Sequence, residues 1–279
     1  MSWYKNKYLK KLFLETTEWN VAWKLKSDDR YKIIKNPEGY WLADSLIFYE
    51  NSNTYLFCEA FEKQSGLGRL GVLTFDGNNF SDFKIILKEK YHLSYPYVFK
   101  HKNKYFMIPE SSENNTVDLY EAEEFPYRWK KIKCLANGRY VDTTVIHKYN
   151  AAFTLYSYDM STYQLIEGVL DMDKLELSEL TKKEDKAYKR RSGGNIYQEN
   201  GMLCRAVQNN KYFYGQSLIV LNCESNEEIK EIIPESIKTI DNKKFRRIHT
   251  CSTSGTFEAI DVSNYRFNLF KFLKRLRLK

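Results

Sequence analysis

Five stretches of this chain begin alike. Each opens a run rich in aromatic and β-branched residues, and each carries a polar marker: Asp44, Ser94, Asp142, Arg191 and His249, spaced 50, 48, 49 and 58 residues apart. Three further short runs follow most openings. In the first unit they fall at 54–61, 69–75 and 83–87; in the second, which opens at 93–99, at 104–111, 116–120 and 129–135. Four strands in about 50 residues form one blade of a β-propeller. A single blade has two apolar faces and buries them only by stacking on neighbours around an axis. The fifth unit has only two clear strands, 246–251 and 256–262. The lone alternating run at 19–26 supplies a third and closes the ring. The spacing therefore predicts an all-β, five-bladed β-propeller over 19–262. A Greek-key sandwich is the alternative, and it leaves the regular spacing without a cause.

The ends read differently. Residues 1–18 mix Trp3, Tyr4, Tyr8 and Phe13 with Lys5, Lys7, Lys10 and Lys11, and 263–279 carry six bases and no acid. Short amphipathic helices are predicted at both termini, with Leu269, Phe272, Leu273 and Leu276 on one face of the second. That arrangement suits a helix lying in a membrane interface. The net charge of +8 is thus assigned to an anionic membrane, through 264–279 with a second contact at 1–14, and not to nucleic acid. Five cysteines without metal-ligand spacing read as reduced thiols. The opening residues lack the pattern of a secretory signal. The expected place is cytoplasmic, peripheral on the inner face of the cell membrane.

The innermost strands of a propeller line one channel, so their polar residues converge. First strands contribute Asp44, Ser94 with Tyr95, Asp142, Arg191, and His249 with Thr250. Second strands add Glu59, Glu110 and Arg205. Glu110 follows a proline at the end of an apolar strand, where an acid needs a partner or a task. Carboxylates suit acid–base work on hydroxyls, and arginine suits phosphate oxygens. The structural alternatives are a turn cap at Asp44, a core ion pair at Glu59 and a satisfied core imidazole at His249. No nucleophile elbow, phosphate loop or zinc motif is present. Gly66 to Gly71 matches a dinucleotide fingerprint as a string but enters a strand, not a helix. No metal or other cofactor is expected.

Several motifs in order resemble the glucosamine inositolphosphorylceramide transferase N-terminal-type family. They are Ala-Asp-Ser, Phe-Cys-Glu-Ala-Phe, Leu-Ser-Tyr-Pro-Tyr-Val-Phe, Met-Ile-Pro-Glu-Ser, Val-Asp-Thr-Thr, Tyr-Gly-Gln and His-Thr, across about 40–262. That family is similar in fold to the five-bladed propellers of arabinanase-, xylosidase- and invertase-type glycosidases. The resemblance implies that Asp44 acts as base or nucleophile and that Asp142 supports the sugar or tunes the acid. The blade-four glutamate of those glycosidases is replaced here by Arg191-Ser192-Gly193-Gly194, which leaves Glu110 as the further carboxyl. The expected catalytic set is Asp44, Glu110 and Asp142. The expected binding set is Glu59, Ser94, Tyr95, Arg191, Arg205, Tyr214, His249 and Thr250. The expected activity is glycosyl transfer from a phosphate-activated sugar donor to a lipid-linked or growing surface glycan. A non-catalytic glycan-binding or hydrolase-like propeller is the alternative.

Overall fold

The structure, a computed structural model, describes residues 14–182 and 190–267. Five antiparallel sheets form in chain order. Blade 1 runs Tyr40–Glu50, Asn53–Glu62, Leu67–Phe75, Phe80–Leu87; blade 2 runs Ser94–His101, Lys104–Ser111, Thr116–Glu124, Arg128–Asn137. Blade 3 runs Tyr140–Tyr149, Ala152–Asp159, Gln164–Asp171, and its outer edge is two short pieces, Glu176–Leu177 and Thr181–Lys182. Blade 4 runs Ser192–Glu199, Met202–Asn209, Ser217–Asn222, Glu228–Ile232. Blade 5 takes Arg247–Ser254 and Phe257–Ser263 from the end of the chain and Asn20–Leu25 and Lys32–Ile33 from its beginning. The pairing of Asn20 with Val262 through Leu25 with Phe257 closes the ring as the spacing predicted.

Hairpin turns carry their own chemistry. At the Asp76-Gly77 turn, the Asp76 carboxylate accepts from the backbone N–H groups of Asn78 and Asn79, which holds it below the usual carboxylate range. Apolar residues of period two then face the neighbouring blades. One buried cluster joins Phe57, Leu70 and Val72 of blade 1 to Met107, Tyr120 and Trp129 of blade 2. Others join blades 2 and 3 through Phe99, Phe106, Phe153 and Leu155, blades 4 and 5 through Leu218, Ile248 and Ile260, and blades 5 and 1 through Trp23, Phe257, Leu56 and Phe80.

The structure differs from the sequence expectation at the ends. Leu14–Thr16 pairs antiparallel with Tyr265–Phe267 as a two-stranded ribbon, so 265–267 is strand and not the start of a helix. Extended backbone lets the two ends satisfy each other's N–H and C=O groups. The rest of the expected terminal helices, 1–13 and 268–279, lies outside the described residues. Tyr214, a member of the expected binding set, sits in the loop before Ser217–Asn222.

Candidate functional site

Every innermost strand is broken by a bulge near its start, and that of blade 3 slips again between His147 and Tyr149. The register slips between Ala43 and Leu46, Ser94 and Tyr97, Val141 and Thr144, Ser192 and Ile196, and Ile248 and Cys251. A bulge re-aims the side chain at the extra residue. Asp44, Tyr95 and Asp142 occupy it with φ of 47°, 46° and 52°, and Gly194 with φ of 139°. Left-handed backbone at three non-glycine residues is strained, and such strain gathers at functional sites. The fivefold equivalents are thus Asp44, Tyr95, Asp142, the Gly193-Gly194 bulge and His249. Ser94 and Arg191 precede the bulge in their blades.

Tyr95 closes the channel. Its hydroxyl crosses from blade 2 to blade 4, donates to Gly194 O at 2.6 Å and accepts from Gly194 N at 3.0 Å. Only glycine fits at 194, because an added Cβ would stand 1.7 Å from Cys251 O.

Two ion clusters flank this plug. His249 Nε2 lies 3.0 Å from Asp44 Oδ1, and its Nδ1 lies 2.9 Å from Asp261 Oδ2. Asp261 also accepts from the backbone N–H groups of Asp44, His249 and Thr250. Burial alone would lower the His249 pKa, but Asp261 and Asp44 raise it to about 10. The imidazolium in turn holds Asp261 below the usual carboxylate range despite its burial. The ring rests on Trp19, 4.2 Å between centroids, with Tyr214 at 5.3 Å. Asp44, His249 and Asp261 have the composition of a metal site, with ligand atoms within 4.8 Å of one another. The two imidazole nitrogens face different carboxylates, however, so the imidazolium itself stands between them as the cation.

In the second cluster Arg191 grips Asp142 with both edges of a fork, Nε to Oδ2 at 2.6 Å and Nη2 to Oδ1 at 2.9 Å. Gln208 adds a donor to Asp142 at 3.2 Å. Glu110 Oε2 lies 3.6 Å from Arg191 Nη2, and its Oε1 accepts from Ser112. Burial and the Asp142 charge push Glu110 up to about 8, against the pull of Arg191. Glu59 holds the same place in blade 1 that Glu110 holds in blade 2, opposite the residue before the bulge. Burial and Asp44 push Glu59 well above its usual range. The site therefore joins two carboxyls raised above their usual range to two aspartates paired with cations. Acid–base assignments rest on such divergent environments.

The structure brings Asp44, Glu59, Tyr95, Glu110, Asp142, Arg191, Tyr214 and His249 together. It does not bring in three others. Arg205 pairs with Ile196, farther along the channel, and reaches Asn226 Oδ1 at 3.4 Å; the blade-4 counterpart of Glu59 is Val207, opposite Ser192. Ser94 is buried beside the bulge that Tyr95 occupies. Thr250 is fully buried and meets the cluster through its backbone N–H. Arg191 is committed to Asp142, and a second guanidinium in the region is Arg247. It lies under the rings of Trp19, Tyr214 and Tyr265 at 4.6, 5.3 and 5.3 Å and donates to Tyr214 O. Asp261, His92, Gln208 and Arg247 were not anticipated. Asp261 had a signal, an acid between Ile260 and Val262 in an apolar strand.

A family described as "Glucosamine inositolphosphorylceramide transferase 1, N-terminal" matches residues 14–264. The chain belongs to that family. Among relatives of this glucosamine inositolphosphorylceramide transferase 1 N-terminal family, the Oryza sativa subsp. indica protein named glucosamine inositolphosphorylceramide transferase 1 is 27% identical over 224 residues, covering 74% of this chain and 29% of that protein. The Arabidopsis thaliana protein of the same name is 29% identical over 217 residues, covering 71% and 28%. The chain thus spans about three tenths of the length of the curated relatives it matches. In fold, this family member is similar to a GH43_1 enzyme from Xanthomonas citri, TM-score 0.59 at 9% identity over 84% of this chain and 88% of that one. It is also similar to the catalytic domain of the Coprinopsis cinerea GH62 α-L-arabinofuranosidase, TM-score 0.58 at 11% identity over 87% and 97%. These likenesses concern the fold.

Proposed function

We propose that this propeller works in glycosyl transfer, on a sugar donor with a phosphate leaving group and a glycolipid acceptor. The observation that carries the reading is Glu110, a carboxyl that keeps its proton to about pH 8 within 3.6 Å of Arg191 and beside Asp142. In the step proposed, the bond between the anomeric carbon and the phosphate oxygen breaks and its electron pair leaves with the phosphate, which takes the Glu110 proton. The acceptor hydroxyl oxygen bonds to the anomeric carbon, and its proton passes to Asp44. Arg191, 3.6 Å from Glu110, stands beside the phosphate charge as it develops. Relatives named as transferases for glucosamine and inositolphosphorylceramide support this substrate class.

The test is turnover of nucleotide-sugar and phosphoribosyl-type donors with a lipid-linked acceptor. Glu110→Gln should reduce turnover by about 10²-fold or more, the usual contribution of a positioned acid, and Asp44→Asn should abolish it. Wild-type turnover in both variants would overturn the catalytic reading. A binding role without turnover is the second reading, favoured by the ion pairs that already occupy Asp44 and Asp142.

Attachment to an anionic membrane on its cytoplasmic face is proposed from the tail sequence. Near such a surface each base contributes about 1 kcal/mol. Removing 268–279 leaves the strand pair of 14–16 with 265–267 in place. Liposome binding that is salt-sensitive in the intact chain should be lost in the truncated one; equal binding by both refutes the role.

A further inference from the structure

One side of the channel mouth has chemistry that the transfer step leaves unused. Trp41 and Phe61 are cross-strand partners in blade 1. Their rings stack at 4.5 Å with an interplanar angle of 10°, and both are only half-buried. Large aromatic residues at a strand end normally turn into a blade interface; this pair keeps surface to solvent. Glu59 lies two residues before Phe61, so period-two alternation puts both on one face. His92 stands beside them, its ring 6.3 Å from Phe61.

The proton positions of this corner follow from the hydrogen bonds. Gly68 N donates to His92 Nδ1 at 2.9 Å, so Nδ1 is the acceptor and the proton is on Nε2. Nε2 lies 3.3 Å from Glu59 Oε1. Burial keeps the imidazole below its usual pKa, in agreement with that tautomer. Glycine is required at 68, since a Cβ there would strike Leu93 O at 2.2 Å and Glu59 Oε1 at 2.9 Å. Glu59 is 5% exposed, and its Oε1 has no well-formed hydrogen bond. The corner is therefore apolar on its outer part and polar within.

We propose that Trp41, Phe61, Glu59 and His92 form a subsite for a neutral pyranose ring, with the sugar's C–H face on the aromatic pair and its hydroxyls toward Glu59 and His92. The C–H bonds of a pyranose carry partial positive charge, which suits the negative face of an aromatic ring. Sugar hydroxyls both donate and accept, which suits a buried carboxyl with an unpaired oxygen and an imidazole N–H. The blade-1 cation that bears on His92, Arg69, is committed to Glu62 and to the Glu89 carbonyl, so a phosphorylated or carboxylated ring meets a guanidinium that is already paired. A nucleobase finds no slot, because the two rings are closed on each other. The subsite deepens the carbohydrate reading and rests on it, but its test measures binding without turnover, so the two can fail separately.

The experiment is saturation-transfer NMR on the full chain with methyl α-glucopyranoside and N-acetylglucosamine as neutral probes, and glucose 6-phosphate and uridine as the contrasts. Transfer should concentrate on ring C–H protons of at least one neutral probe. Trp41→Ala should weaken that probe about tenfold, equivalent to about 1.4 kcal/mol. Trp41→Phe should recover part of the loss and guards against misfolding of the larger truncation. Glu59→Gln, which keeps the shape and a hydrogen-bonding oxygen, should lose less binding than Glu59→Ala. The inference is overturned if neither neutral probe binds, if Trp41→Ala binds as wild type does, or if glucose 6-phosphate or uridine binds more tightly at these residues.

Discussion

His249 should make this propeller lose stability as pH rises, over a window that ordinary surface groups leave empty. An unfolded histidine titrates near 6.5, while the folded one is raised to about 10 by Asp261 and Asp44. Between these values the folded state holds a proton that the unfolded state has lost. Its stabilisation is complete below pH 6.5 and disappears as pH rises through 10. One such proton gives a slope of about 1.4 kcal/mol per pH unit, or about 5 kcal/mol over the window. Glu110, raised to about 8, contributes with the same sign between about 4.5 and 8, so the interval from pH 8 to 10 is the cleaner one. His249 should account for about 3 kcal/mol there. Buried thiols such as Cys58 and Cys251, also raised, add to the decline near its upper end, and a variant separates them. The assay is urea unfolding at half-unit pH steps, for wild type and His249→Gln. The variant should lose about 3–5 kcal/mol at pH 7, having left Asp44 and Asp261 buried without their cation, and should show a flatter slope from pH 8 to 10. Equal slopes in the two proteins would refute the ion triad.

Tyr95→Phe should leave the fold intact and lower the urea midpoint by the equivalent of about 1–3 kcal/mol, since Gly194 N and O lose their shared partner in a buried place. Gly194→Ala should be far worse, by more than about 4 kcal/mol, read as loss of soluble, cooperatively melting protein; a normal melt would show that Cys251 O has room to move.

The ring was legible because blades repeat, and Asp44 and Asp142 were legible because each sits where a strand otherwise apolar turns polar. The register at the axis was not. A bulge adds residues without changing composition, so by spacing Ser94 and Arg191 read as counterparts of Asp44, whereas the register makes them Tyr95 and the Gly193-Gly194 bulge. Arg205 was drawn into the site because it lies in a second strand, like Glu59 and Glu110. Two residues of offset along that strand decide which end of the channel a side chain meets. Asp261 acts on Asp44 across 217 residues, and His92 reaches back from the connection after blade 1 to Gly68 and Glu59; no local pattern reports such contacts.

The strand Asn20–Leu25 completes blade 5 beside Phe257–Ser263, and this makes ring closure and site assembly one event. Asp44 donates to Asp261, and Ile47 to Ser252, across the seam between blades 1 and 5. Before the seam forms, His249 and Asp261 have no Asp44, and Asp44 has no imidazolium. Contacts of such long sequence separation form late and slowly. A folding chain with four finished blades would thus be compact but chemically inert, and recovery of the high His249 pKa would time the final step of refolding.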